Sequence, residues 1–237
     1  MLTNQKIVII GGSSGIGYET AKKALEQGAE VIIASRSASK LQKATERLGP
    51  KAEALVLNTA YEEQVKAFFE NIGPFDHLVV TAAVSSGGPF LHTDNQAARE
   101  LFESKFWGQL YAAKYGAPNI RPGGSITLFS GLAGYKSMDG LSVLGAVNAA
   151  VSALAQTLAL ELAPIRVNTV SPGFIDTPSR DHMSPEARES LYAGIAAKLP
   201  LKRVGTAEEV AQSVLYLMQN GFVTGTVLHV EGGHLLS

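Results

Sequence analysis

Cysteine is absent from the 237 residues, which excludes a disulfide framework, a thiolate nucleophile and a Cys-ligated zinc. The five histidines, at 77, 92, 182, 229 and 234, are scattered and form no His-Glu-x-x-His spacing, so no metal site is expected. Neither sign of charge is in surplus, and the formal net charge is −1. That balance leaves no footprint for nucleic acid, and no run of Lys and Arg marks a membrane surface. The N-terminal MLTNQKIVIIGG lacks a charged segment followed by a long apolar core and a cleavage site, so a soluble, cytoplasmic protein is expected. One stretch lacks charge altogether, the 21 residues Gly140–Leu160. It is long enough to span a bilayer, yet it carries Ser142, Asn148, Ser152, Gln156 and Thr157. A helix buried in a core and against a partner subunit explains it better, which makes a homo-oligomer the expected assembly.

What is present is a regular alternation of apolar, strand-length runs with helix-period segments. Strands are expected at Lys6–Ile10, Glu30–Ala34, Ala54–Leu57, His77–Val80, Ser125–Phe129, Arg166–Val170 and Thr226–Val230. Helices fit between them at Ile16–Gln27, Ser39–Leu48, Glu62–Asn71, Asp94–Ala117, Leu141–Leu162 and Ala207–Gln219. The pattern predicts an α/β fold, a doubly wound parallel sheet of seven strands with helices on both faces. The length suits one domain over residues 1–237. Gly173–Gly205 is the one long segment without an expected strand. Ligands in such folds bind beyond the carboxyl ends of the strands, so this segment reads as a substrate lid.

The first strand runs into GGSSGIG, which places Gly11, Ser13, Ser14, Gly15, Ile16 and Gly17 at a strand–helix junction. Glycines there permit a tight turn and close approach of backbone to a pyrophosphate, and the helix start offers free N–H groups. A glycine-rich turn that merely joins strand to helix is the alternative. The second strand ends at Ser35 and Arg36, where an NAD site usually has a carboxylate. A hydroxyl and a guanidinium suit a 2′-phosphate instead, so NADP(H) is the expected cofactor.

These features, taken with others along nearly the whole chain, resemble the classical short-chain dehydrogenases/reductases. The others are AsnThr (58–59) after the third strand, KYGAP at the end of the fourth helix, GGSITLFSG at the fifth strand, ELAPIRVNTVSPGFIDTP (161–178) and GTVLHVEGG (225–233). The resemblance implies cofactor contacts at Asn58, Thr59, Ala82, Ala83 and Asn148. It also implies that Pro172, Gly173, Ile175 and Thr177 hold a nicotinamide carboxamide, and that the assembly is a dimer or tetramer. It further implies an Asn, Ser, Tyr and Lys that move the proton. Here the pattern Tyr-x-Ala-Ser-Lys-Ala-Ala-Val falls on Leu144–Val151. Leu144 stands at the tyrosine place, Asn148 at the lysine place, Gly131 at the serine place with Ser130 beside it, and Lys105 at the asparagine place. Tyr135 and Lys136 are adjacent and cannot share a helix face, and Tyr111 and Lys114 lie ahead of the serine strand.

Replacement chemistry is sought at Lys105, Ser130 and Asn148. Lys105 suits proton donation or binding of an anionic substrate, or else it extends from its helix to water. Ser130 is in reach of a substrate oxygen, or it bonds to backbone; Asn148 bonds ribose hydroxyls, or it is satisfied by neighbours. His92 and His182 are further proton carriers to consider, and Phe90, Trp107, Phe174 and Met183 a further apolar lining. Three functions follow: an atypical NADP(H)-dependent oxidoreductase acting on a small organic molecule; a catalytically silent NADP(H)-binding sensor or partner subunit; and a lyase, isomerase or cyclase that uses the pocket without net hydride transfer.

Overall fold

A computed structural model describes residues 1–81 and 87–237. Its strands are β1 (Lys6–Ile10), β2 (Glu30–Ser35), β3 (Ala52–Val56), β4 (Phe75–Val80), β5 (Ile120–Phe129), β6 (Arg166–Pro172), β7 (Ile175–Asp176), β8 (Gly205–Thr206) and β9 (Val227–Val230). Seven of these make one sheet in the order β3-β2-β1-β4-β5-β6-β9, with every neighbouring pair parallel. A strand such as KIVII in β1 is apolar on both sides because both sheet faces are covered. Ile7 and Ile9 pack with α1 (Gly15–Glu26), α2 (Ala38–Leu48) and α8 (Ala207–Gln219). Val8 and Ile10 pack on the other face with α3 (Glu62–Ile72), α5 (Gly108–Gly116) and α6 (Ser142–Glu161). The strand order reverses between β1 and β4, which opens a crevice at their carboxyl ends.

Two features depart from the sequence pattern. The helix expected over Asp94–Ala117 is two helices, α4 (Asn95–Phe102) and α5, joined by a π-helical segment Glu103–Trp107. The cause is tertiary. β4 stops at Val80, opposite Leu128, so the Phe129 peptide groups lack a strand partner on that side. Gln109 replaces the strand: its side chain accepts from Phe129 N at 2.7 Å and donates to Phe129 O at 3.0 Å and to Lys105 O at 2.8 Å.

The second departure is in Gly173–Gly205, which holds β7 and β8, paired with each other, and the helix α7 (Pro185–Lys198). Ser184 caps α7 by accepting from Ala187 N, with Pro185 next and Glu186 in the first turn. No side chain of α7 is buried. The helix is tied instead by Arg188, which pairs with Asp176 and Asp181.

The uncharged segment forms α6, which is long and apolar enough to cross a membrane, but Val147 is buried and Val151, Ala155 and Ala159 pack on the sheet. The core half of the expectation holds along that stripe. Ala146, Ala149, Ala153 and Leu160 lie exposed along the other side.

Candidate functional site

The crevice at the switch point widens into a cleft of about 800 Å³. Its walls include Gly11, Ser13, Ser14, Gly15, Ile16 and Gly17 from the first turn, Ser35 and Arg36 from the end of β2, Asn58 and Thr59 after β3, and Thr177 after β7. The turn is built for close approach. Gly11 and Gly15 have φ of +94° and +55°, a region that costs other residues steric strain. A Cβ on Gly17 would lie 2.3 Å from the Gly11 carbonyl oxygen, and one on Gly12 would lie 2.6 Å from Ile33 Cγ2. Helix α1 then begins with no side-chain cap on its N–H groups and no acidic residue in its first turn. This leaves donors and a positive dipole end facing the cleft.

At the β2 end, Ser35 Oγ is buried with no hydrogen-bond partner among the described residues, an orphan that a ligand oxygen would satisfy. Arg36 is exposed beside it. Ser37 and Lys40 line the same corner and were not singled out from the sequence. Their signal was present in the run SRSASK, where the Ser37 side chain caps α2 by accepting from Lys40 N at 3.3 Å. Thr81 also lines the cleft, its N–H bonded to Ile10 O at 2.8 Å. The donors, the orphaned hydroxyl and the cation fit a dinucleotide with a phosphate on its adenosine ribose.

Other expected contacts lie off this wall. Ala82 and Ala83 fall outside the described residues. Pro172 ends β6, and Gly173 passes so close to Glu231 that a Cβ would sit 2.8 Å from the Glu231 Cα. The Ile175 side chain is buried in the core, and its carbonyl accepts from Arg180 at 2.8 Å. Ile175 therefore has only its N–H to offer a ligand. Thr177 closes over the first turn, its Cβ 3.5 Å from where a Cβ on Gly15 would be.

Beyond the strand ends a second group assembles. Lys105 does not extend to water: it is 7% exposed and donates from Nζ to Ser130 O at 2.9 Å. Burial pushes its ammonium down to about 8. Among the described residues Ser130 Oγ bonds to no backbone group and Asn148 Oδ1 to no neighbour, though both are buried. Gly131 is the space that Asn148 fills: a Cβ there would lie 2.9 Å from Asn148 Nδ2. Leu144 lies one turn before Asn148 on α6 and is half-buried.

The remaining candidates do not converge. His92 is exposed in a short turn, and His182 is exposed with Nδ1 3.1 Å from Ser179 O. Phe90 is 70% exposed and Trp107 stacks on Tyr111, so they form no common wall with Phe174 and Met183.

Residues 11–234 match the family described as enoyl-(acyl carrier protein) reductase. The chain is 35% identical to the short-chain dehydrogenase/reductase ATR9 of Stachybotrys chlorohalonatus, over 99% of this chain and 98% of that one. It is 31% identical to the 3-oxoacyl-(acyl-carrier-protein) reductase FabG of Thermotoga maritima, over 98% of each. A small-chain dehydrogenase solved in complex with NADPH superposes with a TM-score of 0.87 at 36% identity, covering 99% of this chain and all of that one.

Proposed function

The chain belongs to the short-chain dehydrogenase/reductase family, and we propose that it is an NADP(H)-dependent oxidoreductase whose proton path uses no tyrosine. The observation that carries the cofactor half is the β2 corner, where an orphaned Ser35 hydroxyl, Arg36 and Lys40 meet in the cleft. No carboxylate stands at the strand end to repel a 2′-phosphate. The Gly11–Gly17 turn and the start of α1 hold the pyrophosphate, Asn58 and Thr59 border the adenine end, and Thr177 and the Ile175 N–H hold the nicotinamide end. Bound there, the carrier supplies or accepts the hydride.

The catalytic half rests on what stands at the family's proton-handling places. Leu144 has no proton to give, and Asn148 bonds but does not titrate. A positioned general acid is worth about 10²–10⁴-fold, or roughly 3–5 kcal/mol of barrier. The substrate is a small organic molecule whose reduction asks little of tyrosine: an iminium, a conjugated enone, or a carbonyl served by another donor. Gly173–Gly205 is its lid, with α7 tethered by Arg188. The exposed stripe of α6 joins a second copy of the chain, and the protein works in the cytoplasm.

A silent NADP(H)-binding sensor or partner subunit is the second reading, supported by the departures at Lys105, Gly131, Leu144 and Asn148. A spectrophotometric screen that follows NADPH absorbance across carbonyls, imines and enones separates the two. Turnover of any class supports the oxidoreductase; tight NADPH binding with no turnover in all three supports the sensor.

A further inference from the structure

A lysine ammonium has three N–H donors, and among the described residues Lys105 uses one, to Ser130 O. Burying a cation without a counter-charge is costly and needs a reason. Among the described residues no charged group faces it. Helix α6 is uncharged from Ser142 to Leu160, β5 carries no charge from Ser125 to Phe129, and Arg166, the only charge of β6, lies at that strand's far end. Glu103, on the same π-helical segment, lines the cofactor cleft. Burial is accordingly the sole cause of the lowered ammonium.

Ser130, whose carbonyl takes the ammonium, Asn148, which packs on the adjacent Gly131, and Ser171 each carry a buried side-chain oxygen with no partner among the described residues. Ser130 follows the β5 residue Phe129, which pairs with Val170. Ser130 and Ser171 are therefore lateral neighbours at the carboxyl ends of their strands, the edge where such sheets bind ligands. A purely structural anchor for the π-helical segment already exists in Gln109, which satisfies the Lys105 carbonyl. π-Helical turns inside α-helices are frequently functional.

Resting on the oxidoreductase reading, we propose that Lys105, Ser130 and Asn148 form the proton-handling site for a carbonyl or enone substrate. A reduced nicotinamide carrier held in the cleft would supply the hydride to the substrate carbon and be oxidised in turn, so that the carbon–oxygen π pair (through the conjugated carbon–carbon bond in an enone) would move onto the substrate oxygen. The Lys105 N–H bond would break and its proton go to that oxygen, leaving Lys105 as a neutral amine that recovers a proton from water. The Ser130 hydroxyl orients the oxygen, and Asn148, packed against Gly131, closes the side of the site next to Ser130.

The test is competitive acetylation of the intact, cofactor-free chain with trace acetic anhydride from pH 6 to 11, read at each lysine by peptide mass spectrometry. Lys105 is expected to be modified in the native state with a midpoint near 8, well below its midpoint in the urea-unfolded chain. A Lys105 that reacts only after unfolding in urea, or that has the same midpoint folded and unfolded, overturns the proposal. In parallel, Lys105→Met is expected to bind NADPH within threefold of the parent and to reduce ethyl acetoacetate or 2-cyclohexen-1-one at least 100-fold more slowly. Parent-like turnover by that variant overturns the proposal. Failure of the unmodified chain to bind NADPH overturns the cofactor reading instead, and the acetylation result does not depend on it.

Discussion

Asn148 and Gly131 are fitted to each other: a Cβ on Gly131 would stand 2.9 Å from the amide nitrogen of Asn148. Gly131 φ is extended at 165°, so space and not backbone strain is what excludes a side chain. Gly131→Ser should therefore overpack the site, at a cost of about 1–3 kcal/mol. Thermal unfolding is expected to drop by several degrees, and Gly131→Ser combined with Asn148→Ala should recover most of the loss. An unchanged melting temperature in the single variant would contradict the fit.

The buried Lys105 ammonium makes a claim on stability as well as on catalysis. The unfolded chain holds this proton up to the ordinary lysine value of 10.5, whereas the folded chain holds it only to about 8. Stability from this group is thus lowest below pH 8 and rises between about 8 and 10.5. The cost below pH 8 is on the order of 3 kcal/mol. Lys105→Met removes that cost but strands the Ser130 carbonyl, at about 1 kcal/mol. The variant is expected to be more stable than the parent at pH 7, with the difference shrinking toward pH 10. Urea unfolding of both chains across that range reads it.

His77 gives the opposite edge of the pH profile. It is 2% exposed, with Nδ1 2.8 Å from Ser125 Oγ and Nε2 3.2 Å from Gln5 Oε1. Burial, with Arg166 adding repulsion, pushes it from 6.5 to about 4. The folded chain binds this proton less readily than the unfolded one, so its contribution is complete above pH 6.5 and is lost as pH falls toward 4. The loss is about 1 kcal/mol per pH unit in that window. His77→Asn should flatten the slope there, whatever it does to the stability at neutral pH.

Much of this architecture was legible in the chain. Strands apolar on both sides and helices of period 3.6 leave few alternatives, and each strand of the large sheet was located within two residues, except that β5 begins at Ile120 rather than Ser125. GGSSGIG and SerArg after β2 pointed to the cleft that the fold then formed. The π-helical segment was hidden because Gln109 creates it by standing in for a strand neighbour, a relation with no local signal. Helix α7 had a signal in Ser184-Pro185-Glu186, but its weak apolar periodicity masked it. The burial of Lys105 was illegible for the same reason as the π turn: the residue follows from where β5 ends, not from its neighbours in sequence.

Arg36 decides the choice of carrier. Arg36→Ala should weaken NADPH binding by at least tenfold and leave NADH within about threefold, since only the 2′-phosphate meets the guanidinium. Adding Lys40→Ala should deepen the NADPH loss further. Equal losses for the two carriers would remove the guanidinium from the account.

The central claim is that the cradle for a phosphorylated nicotinamide carrier persists although no phenol stands over it. Isothermal titration of the purified chain with NADPH measures that directly. A single saturable site with micromolar or tighter affinity, and a clearly weaker one for NADH, is the predicted result. The absence of heat and of saturation with both NADPH and NADP⁺ would contradict it.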